Sequence, residues 1–230
     1  MACGLGVEGE LRVSAAASLT DAFAEVESAF EAANPDVDVV LNLGSSSSLR
    51  VQILEGAPAD VFASANLSNM DQVVAAAEAE GGEIFVTNLL QIAVPAGNPA
   101  GVSGLQDFAN EELLIGLCVE DVPCGDFGRQ ALENAGVTPA IDTNEPDVRA
   151  LLTKIEAGEL DAGIVYVTDV LSAPGAVEGV DIPEEFNVVA EYPIAALVNA
   201  PNRAAAAAFV EFVLSGEGQA ILARYGFESP

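Results

Sequence analysis

Two apolar periodicities alternate along this chain, one typical of helices and the other of buried strands. A short apolar run begins at Leu11 and stops at the alanines of 15–17, which predicts a strand. The residues that follow repeat at helical spacing until Asn34-Pro35 ends the pattern: Leu19, Ala22, Phe23, Val26 and Phe30. The same alternation continues to the end of the chain and predicts an α/β fold.

Further elements follow from the same patterns. Apolar runs bounded by Gly, Pro or Asn predict strands at 37–43, 61–63, 84–94, 113–118, 162–167 and 187–198. Helical periodicity predicts helices at 49–55, 68–80, 126–135 and 146–158, and two closing helices within 204–225. Ser68 and Asp71 are predicted to cap the helix at 68–80.

The extended runs near residues 90 and 190 are longer than ordinary strands of about five or six residues. If each run crosses between lobes, the first lobe is discontinuous and comprises 10–87 and 195–230. The second lobe then comprises 88–194, and 1–9 form a flexible N-terminal lead. A ligand would lie in the cleft, at the carboxyl ends of parallel strands.

Two strand-to-helix junctions are rich in small hydroxyl residues. Ser18 follows the first strand and, with Asp21, fits a capping-box pattern at the start of the first helix. The run Gly44-Ser45-Ser46-Ser47-Ser48 follows the second strand. Each junction has two interpretations: an ordinary cap or solvated linker, or a helix N-terminus whose unpaired amides receive an anion.

The charge of the chain excludes one class of partner. Its 36 acidic and 7 basic residues give a net charge of −29, and phosphate contacts need clustered Lys and Arg, so we expect no nucleic-acid partner. Repulsion of this size favours the interpretation of a halophilic protein, whose charges concentrated salt would screen. The alternative is an unusually acidic secreted protein that works at ordinary ionic strength.

The cysteines and the N-terminus bear on location. No apolar stretch approaches the roughly 20 residues of a membrane span. Ala2-Cys3-Gly4 looks like the end of a lipoprotein signal, which would make Cys3 a lipid anchor; the alternative is a cysteine without that role. Cys118 and Cys124 could close a small disulfide loop in an oxidising compartment, and geometry decides whether they do.

Several segments together resemble one family. They are Ala15-Ala16-Ala17-Ser18-Leu19-Thr20-Asp21-Ala22-Phe23, Gly44-Ser45-Ser46-Ser47-Ser48-Leu49, Glu55-Gly56-Ala57-Pro58-Ala59-Asp60-Val61-Phe62-Ala63-Ser64-Ala65, Val122-Pro123-Cys124-Gly125, Asp147-Val148-Arg149, Gly163-Ile164-Val165-Tyr166, Glu191-Tyr192-Pro193 and Arg224-Tyr225-Gly226-Phe227. In this order, from Leu11 to Phe227, they resemble the periplasmic molybdate-binding proteins. The resemblance implies the two-lobed periplasmic-binding-protein fold (type II), with a mainly parallel sheet flanked by helices in each lobe and the ligand in the cleft.

The resemblance also implies a function and a set of site residues. The protein would be an extracytoplasmic monomer that captures molybdate or tungstate by hinge closure and delivers it to the membrane permease of an ABC transporter. The oxyanion would be bound without a cofactor, and without direct side-chain coordination of its metal. Its donors would be the hydroxyls and amides of Ser18 and Ser46, the amides of Cys124 and Val148, and the hydroxyl of Tyr166. Cys124 departs from the alanine expected at that position.

Other functions remain as alternatives. A donor set without cations also suits sulfate or another tetrahedral oxyanion. An enzyme acting on a small anion is disfavoured, because the chain has no histidine and no nucleophile motif, and Glu184-Glu185 lie in a Pro-flanked loop. A receptor for metal cations would need clustered acids, which the matched positions lack. A transcriptional regulator would need a basic DNA-binding segment.

Overall fold

A computed structural model describes residues 7–230, and Cys3, the candidate lipid anchor, lies outside them. The described chain divides into two compact units, which we call the first and the second unit. The first unit consists of residues 7–86 together with Glu191–Pro230, and the second of Thr87–Ala190. The chain therefore leaves the first unit within strand β4 (Glu83–Pro95) and returns within strand β9 (Val189–Ala196).

The first unit contains a sheet of four strands in the order β2 (Val37–Gly44), β1 (Gly9–Ala16), β3 (Val61–Ala63) and β9. Strand β1 is parallel to both β2 and β3, whereas β3 and β9 are antiparallel. The register of β1 and β2 runs from Gly9↔Val37 to Ala16↔Gly44, so the two strands end side by side. The elements of this unit are β1 (Gly9–Ala16), α1 (Thr20–Ala33), β2 (Val37–Gly44), α2 (Ser46–Leu54), β3 (Val61–Ala63), α3 (Leu67–Ala75), α7 (Arg203–Leu214) and α8 (Gly216–Arg224).

The predicted apolar stripe of α1 forms part of the core of the first unit. Its buried residues include Phe23 and Phe30, and the helix ends at Ala33 with Asn34 as C-cap, as predicted. Phe30 packs edge-on against Phe209 of α7, with ring centroids 5.2 Å apart. Phe23 contacts Phe209 and Phe85, so an aromatic layer joins residues from both ends of the chain.

A buried carboxylate also ties the termini of the first unit together. Asp60 is fully buried, and its Oδ2 accepts a hydrogen bond from the amide of Arg12 in β1 at 2.8 Å. Its Oδ1 accepts the amide of Asn202, the N-cap of α7, at 2.6 Å. Bonds from two backbone amides offset the cost of burying this side chain.

The second unit contains a sheet in the order β4, β7 (Ala162–Tyr166), β5 (Ile115–Cys118) and β6 (Thr143–Glu145). Strand β8 (Val177–Asp181) pairs with β4 outside this path. Strands β7, β5 and β6 are parallel, and β4 is antiparallel to β7 and to β8. The fold is therefore mixed α/β, with helices flanking a mainly parallel sheet. The remaining elements are β5 (Ile115–Cys118), α4 (Pro123–Asn134), β6 (Thr143–Glu145), α5 (Val148–Glu156), β7 (Ala162–Tyr166), α6 (Val167–Ser172) and β8 (Val177–Asp181).

Some predicted boundaries are wrong, for local reasons. Helix α3 begins after Asn66, whose side chain accepts the amide of Asn69, so Ser68 and Asp71 are not its cap. The helix ends at Ala75 rather than at residue 80, because Ala77 adopts a left-handed conformation with φ of 62°. Helix α4 begins at Pro123, three residues before the predicted start. The short elements β6, α6 and β8 were not predicted.

Within residues 7–230 no single helix has the length and hydropathy of a membrane span. Helices α7 and α8 meet that criterion only as a pair bent by 63°.

Candidate functional site

Ser18 and Ser46 follow the carboxyl ends of two neighbouring parallel strands in the first unit. Ser18 lies in a single 3₁₀ turn, Ala17–Leu19, directly after β1. Ser46 is the first residue of α2, and one residue, the N-cap Ser45, separates it from the end of β2. Because β1 and β2 end in register, both residues lie at the same edge of the sheet. This edge is where parallel α/β sheets bind ligands.

The hydroxyl of Ser18 bonds to a side chain rather than to a helix end. Its Oγ lies 2.9 Å from the phenol oxygen of Tyr192, which is itself fully buried. The predicted capping box of Ser18 and Asp21 is wrong, because α1 begins at Thr20 with Leu19 as its N-cap. Either oxygen can be the donor in this pair. When the phenol donates, Ser18 keeps its own proton for another acceptor, such as an anion.

Ser46 links the ends of strands β2 and β3. Its Oγ accepts a hydrogen bond of 2.9 Å from the amide of Ala65, in the loop that follows β3. The cap of α2 is the preceding residue, Ser45, whose Oγ accepts the amide of Ser48. The serine run is therefore a helix start and not a solvated linker, and Ser46, which is 1% exposed, retains a hydroxyl proton to donate.

The candidate residues of the second unit occupy the corresponding edge of its sheet. Cys124 follows β5, Val148 follows β6, and Tyr166 is the last residue of β7. The three strands are adjacent and parallel, in the order β7-β5-β6. The structure therefore brings these three positions to one carboxyl edge.

The backbone at Cys124 and Val148 has the geometry of an amide donor. Pro123, the first residue of α4, has no N–H, so the first amide of that helix belongs to Cys124. Val148 is the first residue of α5, and the N-cap Asp147 bonds to the amide of Ala150. The side chain of Val148 is buried, so its backbone is the part that suits a polar ligand.

Cys118 and Cys124 form a disulfide, which the sequence left undecided. Their sulfur atoms are bonded at 2.11 Å and their Cα atoms are 5.8 Å apart. The bond joins the end of β5 to the first turn of α4.

The carboxyl group of Asp169 is buried next to the backbone of Tyr166. The Oδ2 atom of Asp169 accepts the backbone amide of Tyr166 at 3.0 Å. Burial raises the pKa of Asp169 to about 7, although the Tyr166 amide and the charge of Arg149 act in the opposite direction. Arg149 donates to Ser172 Oγ at 3.0 Å, and Ser172 Oγ donates to the carbonyl of Asp169 at 2.7 Å.

All five predicted site residues are buried and carry no charge. Two arginines lie close to these residues in sequence, and both form hydrogen bonds within the second unit. Arg149 donates to Ser172 Oγ, and Arg129 donates to the carbonyl oxygens of Cys118 and Gly125. In the part of the chain that the structure describes, no three His, Cys, Asp or Glu side chains are placed to hold a metal ion. The arrangement can donate hydrogen bonds to an anion, and its five side chains supply no countercharge.

Sequence patterns did not identify Tyr192, Arg129 or Asp169 as neighbours of these positions. Tyr192 lies 174 residues from Ser18, and no periodicity connects them. Its only signal was its place in Glu191-Tyr192-Pro193, one of the segments that carry the family resemblance. Arg129 lies in the predicted helix at 126–135 and Asp169 follows the predicted strand at 162–167, and neither position suggested a site. Only the structure places their polar groups at the backbone of the site.

Comparison with known proteins identifies relatives along nearly the whole chain. The family described as bacterial extracellular solute-binding protein matches residues 11–228. The molybdate-binding protein ModA of Mycobacterium tuberculosis is 38% identical over 219 residues, covering 95% of this chain and 84% of that protein. ModA of Escherichia coli is 34% identical over 237 residues, covering 97% of this chain and 90% of that protein. These relatives are solute-binding proteins and not enzymes.

Solved structures share the fold at lower identity. The periplasmic molybdate-binding protein of Azotobacter vinelandii superimposes with a TM-score of 0.85 at 19% identity, covering 96% of this chain and 99% of that one. The sulfate-binding protein SubI of Mycobacterium tuberculosis reaches 0.86 at 18% identity, covering 96% and 87%. The predicted periplasmic-binding-protein fold is therefore confirmed, and these two likenesses do not distinguish molybdate from sulfate.

Proposed function

We propose that this chain, which belongs to the family of bacterial extracellular solute-binding proteins and to its ModA-type members, binds molybdate outside the cytoplasmic membrane and delivers it to the permease of an ABC transporter. One observation carries the proposal from the family to this chain. Of the five uncharged residues proposed as donors, Ser18 and Ser46 lie at the carboxyl edge of the sheet in the first unit, and Cys124, Val148 and Tyr166 lie at the carboxyl edge of the sheet in the second.

Neutral donors select for oxyanions that are fully ionised. Molybdate, tungstate and sulfate present only acceptor oxygens, which hydroxyls and helix N-terminal amides satisfy. Hydrogen phosphate carries a proton that needs an acceptor, and a buried donor left unpaired costs about 1–3 kcal/mol. The site therefore rejects phosphate and accepts tungstate together with molybdate. Cavity size separates molybdate from sulfate.

We also propose that binding proceeds by hinge closure of a monomer. Two of the proposed donors belong to the first unit and three to the second, so an anion that contacts both sets favours the state in which the donor shell is complete. That closed state is the form that the permease would recognise. A lipid on Cys3 would keep the protein at the outer surface of the membrane.

A thermal-shift panel tests the proposed function. Molybdate and tungstate at about 100 times their Kd are expected to raise the Tm by about 5–10 °C in concentrated salt. Sulfate, phosphate and chromate at the same concentration serve as matched anions. If sulfate alone raises the Tm, the substrate is sulfate and not molybdate. If no oxyanion raises the Tm, the proposed function is contradicted.

The net charge of −29 leads to a further prediction on salt. Charges are screened over about 3 Å in 1 M salt and about 10 Å in 0.1 M salt, so dilution strengthens both self-repulsion and repulsion of an incoming anion. Affinity for molybdate and the free energy of unfolding are both expected to fall on dilution. Titration calorimetry in about 1 M and about 0.1 M KCl measures the affinity. Equal or tighter binding of molybdate in the dilute buffer would contradict the interpretation that this protein is halophilic.

A further inference from the structure

The amide proposed to bind the anion at Cys124 belongs to a loop that is closed at both ends. The Cys118–Cys124 disulfide joins the last residue of β5 to the second residue of α4. Both cysteines are buried. The position of the Cys124 amide relative to the parallel strands is therefore fixed by a covalent bond on the same residue.

The side chain of Arg129 also joins the two ends of this loop, by hydrogen bonds. Its Nη1 donates to the carbonyl oxygens of Cys118, at 2.8 Å, and of Gly125, at 3.0 Å. Its Nη2 donates to Oδ1 of Asn144 in β6 at 2.6 Å. One guanidinium thus holds the end of β5, the first turn of α4 and the neighbouring strand together.

The backbone of the loop is also packed tightly against the start of the helix. A Cβ atom at Gly125 would come within 1.9 Å of the carbonyl oxygen of Val119, so only glycine allows this approach. The loop has little room to shift while the disulfide and the Arg129 hydrogen bonds are in place. If the disulfide opens, the Cys124 amide loses the constraint nearest to it.

We propose that Cys118, Cys124 and Arg129 are positioning residues for the anion site, and that anion affinity is coupled to the oxidation state of the disulfide. The proposal rests on the proposed function, because it takes the Cys124 amide as a donor to the anion. The oxidised protein binds molybdate more tightly, since it does not have to order the loop on binding. Coupling between sites is reciprocal, so bound molybdate makes the disulfide harder to reduce by the same factor.

The chemical step is ordinary thiol–disulfide exchange with a thiol reductant such as glutathione. Two glutathione thiolates attack in turn, the Cys118–Cys124 bond breaks, and each cysteine sulfur gains one electron and one proton. The two glutathione molecules leave as their own disulfide. No other co-reactant is needed.

The first test compares the oxidised protein with a C118A/C124A variant by titration with molybdate. The variant is expected to bind about tenfold more weakly, within the range of about 5–150-fold that coupled sites show. Asn134→Ala is the matched control, because it removes a hydrogen bond to Phe186 at the far end of the same helix. It is expected to leave the affinity unchanged. Equal affinity of the oxidised protein and C118A/C124A would overturn the proposal.

The second test measures the fraction of disulfide in glutathione buffers, by thiol alkylation and mass spectrometry, with and without saturating molybdate. A tenfold affinity ratio corresponds to a shift of about 30 mV for this two-electron couple. A disulfide that only stabilises the fold would lower the Tm when removed but show no such shift. Failure of the oxidised protein to bind molybdate would contradict the proposed function itself. Binding without any redox coupling would contradict only this inference.

Discussion

Replacing Ser46 by alanine is expected to lower the affinity for molybdate by about 10- to 100-fold. A hydrogen bond to a charged group contributes about 1.5–3 kcal/mol, and the hydroxyl of Ser46 is one of the few groups proposed to supply such a bond. The substitution also removes the acceptor of the buried Ala65 amide, so the free energy of unfolding should fall by about 1–3 kcal/mol. Titration calorimetry and urea denaturation in high salt measure the two effects separately.

Substitutions of two other serines, Ser48 and Ser64, distinguish a binding role of Ser46 from a structural one. Ser48 is exposed in the same serine run, so Ser48→Ala should leave the affinity within about twofold. Ser64 is fully buried and bonds to Asn66 within its own loop, so Ser64→Ala should lower stability without a matching loss of affinity. If Ser46→Ala binds molybdate as tightly as the parent protein, Ser46 is not a donor.

Replacing Asp169 by asparagine is expected to change how stability depends on pH. The pKa of this carboxyl is raised from its ordinary value of 3.8 to about 7, mainly because the group is buried. The Tyr166 amide and the charge of Arg149 lower it, and the charge of Asp147 raises it, each by less than burial does. The folded chain therefore holds this proton more tightly than the unfolded chain.

The sign of the pH effect follows from that difference. A carboxyl whose pKa is raised by folding stabilises the fold most at low pH, and its contribution declines as the pH rises from about 4 to about 7. A shift of about three pKa units corresponds to about 4 kcal/mol. Asparagine carries no charge at any pH, so Asp169→Asn should match the parent at about pH 3, exceed it by about 1–2 kcal/mol at about pH 5 and exceed it by about 4 kcal/mol at about pH 8.

Denaturant unfolding at several pH values in concentrated salt measures this difference. Asp71→Asn is the control, since Asp71 is exposed on α3 and its substitution removes the same single charge. It should follow the pH profile of the parent protein. Parallel profiles for Asp169→Asn and the parent would show that the charge of Asp169 does not change on unfolding at pH values of about 5 to 8, which contradicts the raised pKa.

Much of the fold could be predicted from local patterns, because single elements carry their own signals. The apolar spacing of Phe23, Val26 and Phe30 defined α1, and Asn34-Pro35 gave its end. Strand β3 was predicted at its observed bounds, Val61–Ala63. Strand β6 escaped prediction because its residues, Thr143–Glu145, are all polar, and α6 because its six residues form fewer than two helical turns.

The positions of the site were accessible from the sequence, but the contacts that hold them were not. Ser46 and Cys124 could be placed at strand-to-helix junctions because each follows an apolar run. The bond between Ser18 and Tyr192 depends on pairing across most of the chain, as does the tie from Asp60 to Asn202. Such long-range contacts follow from the order of strands, which no local pattern encodes.

The discontinuity of the first unit determines the order in which the chain can fold while it is being made. Val61 of β3 pairs with Ala196 of β9, so this strand edge gains its partner only after the ribosome has synthesised the whole second unit. At about 5–20 residues per second, the intervening hundred or so residues take on the order of 5–20 seconds. At the end of that interval the second unit has its complete sequence, while the first still lacks residues 191–230. The first unit of such a nascent chain therefore stays incomplete until the segment that begins at Glu191 has emerged.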